Sequence, residues 1–324
     1  MSLPTLSTDC VLSPIVEELL RCPICRASLQ REAQTFRCAN RDCMAVFPII
    51  RGVPVLVNEE RSVFRIAEIG SGQSQHTRVG LLTESLHRTL PSNSVNVAAR
   101  RNLALMSRLL HGRTVIPRVL VVGAGTLGEG FGALLSDSHL ELIETDVVFG
   151  PRVCVVCDAH DVPFEDQTFD GVIAQAVLEH VVDPKRCVEE IRRVLKPEGI
   201  VYAETPFMQQ VHLGRFDFTR FTHLGHRRLF SGFTELRSGV ACGPGMALAW
   251  SYMYFLLSFA RSRTIRRLLK AFAMITSFPL KYFDYYLADK PGALDAASGY
   301  YFLGKKRDSL LTDRELVQLY RGAF

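Results

Sequence analysis

Two pairs of cysteines near the start of the chain have the spacing of metal ligands. Cys22 and Cys25 enclose two residues, and Cys38 and Cys43 enclose four. Two such hooks joined by a short hairpin bring four thiolates within reach of one tetrahedral ion, which suits structural zinc. A segment this small cannot build a sufficient apolar core, so the metal would supply much of its folding free energy. The spacing predicts a zinc ribbon over residues 1–60 and disfavours four free, buried thiols.

A glycine-rich turn in the middle of the chain indicates a cofactor site. The apolar run Arg118–Val122 leads into Gly123, Gly125 and Gly128. Glycines at such a turn let the backbone bend sharply into a helix and approach a ligand closely. Asp146 follows at the distance expected of a carboxylate that binds ribose hydroxyls. The pattern alone fits a dinucleotide as well as other adenosine cofactors.

Candidate acid–base residues follow the glycine turn. His180 comes after a predicted strand, and His212 and Asp217 lie in a later loop rich in aromatic residues. Histidine titrates near neutral pH and can take a proton from an acceptor. We predict these three as the catalytic residues. The alternative for His180 is a structural hydrogen bond that holds its loop. Further candidates are Glu179, Glu204, Arg220, His223 and His226, although the last two are solvated if Thr222 simply caps a helix.

Short β-branched runs alternate with helical patterns from residue 97 onward, which is typical of βαβ units around a parallel sheet. A helix is predicted over Pro184–Val194, because its apolar residues fall on one face. We therefore predict an α/β, doubly wound, Rossmann-like sheet of seven strands at 97–324, joined to the ribbon by a linker at 61–96. The predicted strands are Arg118–Val122, Glu141–Thr145, Val153–Cys157, Gly171–Ala174, Ile200–Glu204, Phe233–Ala241 and Gly299–Lys305.

Four further segments distinguish between a dinucleotide and other adenosine cofactors. They are Val156–Phe164, Phe169–Ile173, Val177–Val181 and Arg193–Gly199. In this order, after the glycine turn, they closely resemble the S-adenosylmethionine (SAM) dependent methyltransferases related to those of ubiquinone and menaquinone biosynthesis. A nicotinamide dehydrogenase is not expected to have the last three. The resemblance implies a class I methyltransferase domain that uses SAM.

The resemblance also implies a role for each residue of the cofactor site. The three glycines line the methionine and ribose part of SAM, and Asp146 accepts hydrogen bonds from the ribose. Asp158 accepts from the adenine amino group, and Ala159 offers its backbone. Gln175 lies beside the sulfonium. One departure is that Val121 and Val122 occupy the region where the family usually has an acidic residue.

The flanks of the cysteine pairs carry a second resemblance. The segment Leu19–Val57 is similar to the small zinc-ribbon activator subunits of tRNA and release-factor methyltransferases. These proteins have a Cys-Pro-x-Cys hook and a later aromatic-Pro-Ile segment, which here is Phe47–Leu56.

A helical insertion over about 246–297 is predicted before the last strand. Met246–Ala260 is almost entirely apolar but too short to span a bilayer. A basic run with Arg261, Arg263, Arg266 and Arg267 follows it. An apolar helix beside a basic one favours peripheral membrane contact through 246–281 or a cap over a lipid-like acceptor. A lid packed on the sheet and a dimer contact are the alternatives.

The composition and charge of the chain limit the classes of function that it can have. The chain has 324 residues, 48% hydrophobic and 22% charged, with a net charge of +5, which is too weakly basic to argue for nucleic acid. Its first residues lack the pattern of a signal peptide, so we expect a cytoplasmic protein, at most peripheral at the inner face of a membrane. We predict SAM-dependent methylation of a small-molecule, lipid-linked or glycan-linked acceptor. The alternatives are an RNA methyltransferase and a non-catalytic scaffold whose ribbon binds a partner.

Overall fold

Eleven strands form one continuous sheet in the computed structural model, which describes residues 12–70, 90–111 and 116–323. The strands are β1 (Leu29–Arg31), β2 (Thr35–Cys38), β3 (Val46–Ile50), β4 (Val53–Leu56), β5 (Arg118–Val122), β6 (Glu141–Asp146), β7 (Val155–Cys157), β8 (Phe169–Gln175), β9 (Leu195–Pro206), β10 (Phe233–Cys242) and β11 (Gly299–Lys306). All seven predicted strands are confirmed, with ends that move by a few residues. The expected total of seven is wrong, because the ribbon adds four strands to the same sheet.

The order of the strands defines where a ligand can bind. It runs β1-β2-β3-β4-β7-β6-β5-β8-β9-β11-β10, and β5 pairs in parallel with both β6 and β8. The chain therefore winds outward in both directions from the β5–β8 pair. In open α/β sheets, ligands bind beyond the carboxyl ends of the strands at such a switch point. At the far edge, β11 runs antiparallel between β9 and β10.

The ribbon is built into the edge of the large sheet. Strand β4 pairs in parallel with β7, with Val55 opposite Val156 and Leu56 opposite Cys157. The backbone also joins the two parts outside the strands, because the Arg21 amide donates to the Pro163 carbonyl at 3.0 Å. Apolar ribbon residues share one core with residues of β5 to β9. The predicted ribbon and catalytic domain therefore share one sheet and one hydrophobic core.

Helices cover both faces of the sheet. They are α1 (Pro14–Glu18), α2 (Ile66–Gly70), α3 (Ala99–His111), α4 (Gly132–Leu135), α5 (Pro184–Val194), α6 (His223–Leu229), α7 (Pro244–Leu257), α8 (Arg263–Ser277), α9 (Asp284–Leu287), α10 (Pro291–Ala296) and α11 (Asp313–Val317). Helix α5 has the predicted bounds, and Asp183 caps it by accepting from the Arg186 amide at 3.1 Å. Most of the predicted linker, residues 71–89, lies outside the described residues.

The insertion folds as two antiparallel-packed helices, α7 and α8, followed by a 3-10 turn at Phe278–Phe283. Asp284 is fully buried and closes the insertion, because its carboxylate accepts from the amides of Gly245 and Met246 at 2.7 and 2.9 Å. It thereby supplies hydrogen-bond acceptors to the first turn of α7. Among the residues that the structure covers, every helix is too short or too polar to cross a membrane.

We expect Asp284→Ala to lower the free energy of unfolding by about 2–4 kcal/mol, because two buried amides lose their acceptor. Urea denaturation of the whole chain measures this change. Asp289→Ala is the matched control, because the Asp289 side chain is 81% exposed in the same segment and its loss should cost less than about 0.5 kcal/mol. Equal stability of the two variants would contradict the role given to Asp284.

Candidate active site

The glycine turn lies at the carboxyl end of β5, against the segment that follows β8. Gly123 has a φ of +77°, and a Cβ there would lie 2.3 Å from Cγ2 of Val177. A Cβ at Gly128 would lie 2.2 Å from the Gln175 amide oxygen. A side chain at Gly123 would be strained by the positive φ and would clash with Val177, and one at Gly128 would displace the Gln175 side chain. The turn therefore packs closely against the end of β8 at the switch point, where open α/β sheets bind their ligands. We name this place, between Gly123, Gly128 and Asp146, the candidate cleft.

Asp146, the last residue of β6, holds this turn in place. One carboxylate oxygen accepts from the Gly125 amide at 2.8 Å, and the other accepts from the Val148 amide at 3.0 Å. The side chain is half-buried, at the border of the cleft. The structure thus brings the predicted ribose acceptor directly against the predicted glycine turn.

Asp158 lies one strand further along, buried behind the cleft. One oxygen accepts from the amide and Nδ1 of His160 at 3.0 and 2.6 Å, and the other accepts from the Ser62 hydroxyl at 2.5 Å. Burial raises the pKa of this carboxyl, but the hydrogen bonds from His160 and Ser62 outweigh burial and leave it lowered. Ala159 beside it is half-buried. The Ser62 contact comes from the predicted linker and was not expected from the sequence.

A buried carboxylate network lies beneath the end of β8. Glu204 accepts from Nε2 of Gln175 at 2.8 Å and from Nδ2 of Asn96 at 2.8 and 2.9 Å, and the Tyr202 hydroxyl also donates to it. Burial raises the pKa of Glu204. The next residue of the chain after Gln175, Ala176, has a φ of +55°, a strained conformation for a residue with a Cβ. Strain of this kind concentrates at functional sites, and here it adjoins the cleft.

His180 is held by a backbone carbonyl. Its Nδ1 donates to the Phe216 oxygen at 2.8 Å, so Nε2 carries the lone pair. Burial lowers the pKa of His180 to about 4, which keeps the ring neutral at physiological pH. The His212 ring lies edge-on to it, with the centroids 4.9 Å apart. His180 therefore makes the structural hydrogen bond through Nδ1 and still has Nε2 available to accept a proton.

Asp217 is fixed by Arg220 and faces His212. It accepts from Nη2 of Arg220 and from the His212 amide, both at 2.9 Å. Burial raises the pKa of Asp217, but the hydrogen bonds from Arg220 and the His212 amide bring it to about 2. The structure therefore brings together all three residues that the sequence predicted as catalytic.

Glu179 lies in the same cluster, and both of its oxygens are buried without a hydrogen-bond partner among the described residues. Burial raises its pKa to about 8. Its Oε1 lies 3.6 Å from Nε2 of His180. From the sequence, Glu179 is only one of the further catalytic candidates. No pattern in the sequence indicates that its carboxyl group is buried without a hydrogen-bond partner in the part of the chain that the structure describes.

The structure corrects the alternative in which His223 and His226 are solvated. Thr222 does cap α6, since its hydroxyl accepts from the Gly225 amide at 3.1 Å. Both histidines are nevertheless buried instead of solvated, because α6 packs them toward β10 and β11. Burial lowers the pKa of His223 to about 4 and that of His226 to about 3.

Two cavities flank the His212–Asp217 loop. The first, of about 490 Å³, has Asp217 and Arg220 in its wall. The second, of about 390 Å³, lies between the loop, the 92–94 segment and the insertion. Its lining residues include His212, Trp250, Tyr254, Arg266 and Lys270. An acceptor bound here would contact aromatic rings and cations.

The four ribbon cysteines converge at the edge of the sheet. Sγ of Cys22 lies 3.8 Å from Sγ of Cys43, and Sγ of Cys25 lies 3.4 Å from Sγ of Cys38. Zinc–sulfur bonds of about 2.3 Å in a tetrahedron separate the sulfurs by about 3.8 Å. The cluster therefore has the size and donor set of a closed metal site.

Part of the chain is similar to known methyltransferases. Residues 130–203 match the family described as "Methyltransferase domain". The chain is 31% identical over 121 residues to a ubiquinone/menaquinone biosynthesis C-methyltransferase of Bordetella avium, covering 37% of this chain and 47% of that protein. It is 36% identical over 126 residues to a demethylmenaquinone methyltransferase of Clavibacter sepedonicus, covering 33% and 51%. A human mitochondrial arginine-hydroxylase is 30% identical over 129 residues, covering 40% and 35%.

The strand order, the glycine turn at the switch point and these matches support a class I SAM-dependent methyltransferase domain. Within that class, it is similar to the methyltransferases of quinone biosynthesis. The chain spans about half the length of these two relatives. The individual cofactor contacts stay predictions.

Proposed function

We propose that the chain transfers a methyl group from SAM to a small or lipid-linked acceptor. One observation carries this proposal. The candidate cleft, the His180–His212 pair and the aromatic cavity are neighbours on the side of the sheet where the parallel strands have their carboxyl ends. When bound, SAM supplies an electrophilic methyl group on a sulfonium. The protein must align an acceptor with that methyl group and exclude water.

The His180–His212 pair is suited to hold the acceptor proton. His180 is neutral and its Nδ1 is engaged by the Phe216 carbonyl, so its Nε2 can accept a proton. The His212 ring lines the second cavity, and its Nδ1 lies 3.5 Å from Oδ2 of Asp217. We therefore assign the proton-accepting role to this pair, with Asp217 as the positioning residue for His212.

Methyl transfer from labelled SAM into a total lipid extract tests the proposal. We expect label in the lipid fraction with the wild-type protein and a loss of about 100-fold or more in rate for His180→Asn/His212→Asn. The variant should bind SAM as tightly as the wild type. Label in RNA instead would support the RNA methyltransferase, and an absence of SAM binding would support the scaffold.

We also propose that the cysteine cluster holds structural zinc. The four thiols come from two hooks, they leave no open position for a substrate, and the ribbon has only a small core of its own. Zinc would fix the ribbon against the edge of β7, and it would have no part in methyl transfer.

The insertion is the proposed contact with a membrane. Its outer face carries large apolar side chains, among them Phe255, Phe259, Leu268 and Phe272, which are 54–66% exposed. The arginines at 261, 263, 266 and 267 are exposed beside them. An apolar face rimmed by arginines is complementary to a surface of anionic lipid. We propose that this face lies in the interface and brings the second cavity to a lipid-linked acceptor.

Replacing Arg261, Arg263, Arg266 and Arg267 by Gln should weaken binding to phosphatidylserine vesicles by about two to three orders of magnitude, at about 1 kcal/mol per arginine. Co-sedimentation at low salt measures it. Replacing Arg41, Arg100, Arg101 and Arg108 removes the same charge from exposed positions outside the insertion and should have a much smaller effect. Concentration-dependent dimerisation without vesicle binding would contradict the proposal and favour a dimer contact.

A further inference from the structure

We propose that Glu179, His180 and His212 form a second metal site, for a divalent first-row transition metal. One carboxylate oxygen and one nitrogen from each ring lie within 4.8 Å of one another. Two imidazoles and one carboxylate are a common ligand set for zinc, iron and manganese. Small side-chain rotations would bring these atoms to metal-binding distance. The site is separate from the ribbon cysteines, which lie at the opposite edge of the parallel strands.

The histidines are oriented as metal ligands. The Nδ1 proton of His180 is donated to the Phe216 carbonyl, which directs Nε2 toward Glu179. Metal-binding histidines typically donate their second nitrogen to a carbonyl or a carboxylate in this way. Nδ1 of His212 likewise donates to a backbone carbonyl, that of Gln210 at 3.3 Å, and it lies 3.5 Å from Oδ2 of Asp217.

The Glu179 carboxyl group is an independent sign of a missing partner. The whole residue is inaccessible to solvent, and neither oxygen has a hydrogen-bond donor among the described residues. A buried polar group without a partner costs free energy that a bound cation would offset. Oε1 of Glu179 lies 3.6 Å from Nε2 of His180, a nitrogen with a lone pair. The two groups face one another as two ligands would.

The position of the site suggests its ligand. His212 also lines the cavity beside Trp250, and Asp217 lines the larger cavity, so open coordination positions would face the proposed acceptor. A cation there occupies the nitrogens of the His180–His212 pair and takes over its part in deprotonation, because it lowers the pKa of a hydroxyl bound to it. It favours an acceptor with an oxygen donor, such as a phenol, an enol or a carboxylate. This use of the metal rests on the proposed methyl transfer, whereas the binding of the metal does not.

Cobalt binding tests the site without SAM or acceptor. Protein with one zinc in the ribbon is titrated with Co²⁺ and followed by visible absorption. We expect one further equivalent, with a ligand-field band and no thiolate charge-transfer band. His212→Ala and Glu179→Gln should each weaken binding by about tenfold or more. His139→Ala is the matched control, because His139 is exposed and also lies near a carboxylate, and it should bind as the wild type does.

His212→Ala is the variant least expected to disturb folding, because the His212 side chain is 26% exposed. Thermal unfolding of the variant verifies that it is folded. Wild-type protein that takes up no cobalt beyond the ribbon, or variants that bind it equally well, would overturn the site. Either result leaves the proposed methyl transfer standing. Conversely, cobalt binding by a protein that does not bind SAM would overturn the proposed function and retain the metal site.

Discussion

Serine at Cys22 and Cys25 is expected to abolish metal binding by the ribbon and to unfold it. Two of four thiolates are then lost, and the remaining two cannot hold zinc in a closed tetrahedral site. Structural zinc contributes on the order of 10 kcal/mol to the folding of comparable small domains, far more than the ribbon's own core can replace. Elemental analysis of the purified chain measures the loss. Cys242→Ser, at a half-buried cysteine outside the cluster, should keep one zinc.

The effect should extend beyond the ribbon, because β4 completes the edge of the sheet at β7. With the ribbon unfolded, the outer backbone groups of Val155–Cys157 lose their partners, and the apolar faces of Phe36 and Phe47 leave the shared core. Hydrogen exchange should therefore rise along β7 as well as along the ribbon. A double variant with its full metal content, or one in which exchange at β7 is unchanged, would contradict this account.

The sequence was most informative where local pattern and burial agree. Arg118–Val122 and Pro184–Val194 have their predicted bounds, because a run of β-branched residues before glycines and an apolar face after Asp183–Pro184 are both decided locally. The convergence of His180, His212 and Asp217 followed from their places after strands that end at one edge. Such features depend on periodicity and topology, which a sequence expresses directly.

Features that depend on contacts between distant segments could not be predicted. No local pattern indicates that Val55 pairs with Val156, or that Ser62 donates to Asp158. The burial of His226 depends on the packing of α6 against β11, and the isolation of Glu179 depends on what surrounds it on every side. In each case the residue type was visible, but its partners were decided by the tertiary fold.

Asp146 should have the largest effect of any single residue on SAM binding. In the site proposed here its carboxylate performs two tasks, holding the glycine turn through the Gly125 amide and accepting from the ribose. Asp146→Ala removes both, so we expect SAM affinity to fall by about 1–3 kcal/mol for each of the two lost hydrogen bonds, which is about 30-fold to 20,000-fold in total. Isothermal titration calorimetry with SAM measures the change.

Two further variants separate the tasks of Asp146. Asp146→Asn keeps one carbonyl oxygen as acceptor for Gly125 and should lose less affinity than Asp146→Ala. Asp158→Ala should also weaken binding, but by no more than one hydrogen bond, because its oxygens already accept from Ser62 and His160. Gly132→Ala is the control near the turn, since a Cβ there meets nothing within 4 Å. If Asp146→Ala and Asp158→Ala bind SAM as tightly as Gly132→Ala does, the cofactor lies elsewhere and the assignment of the cleft is wrong.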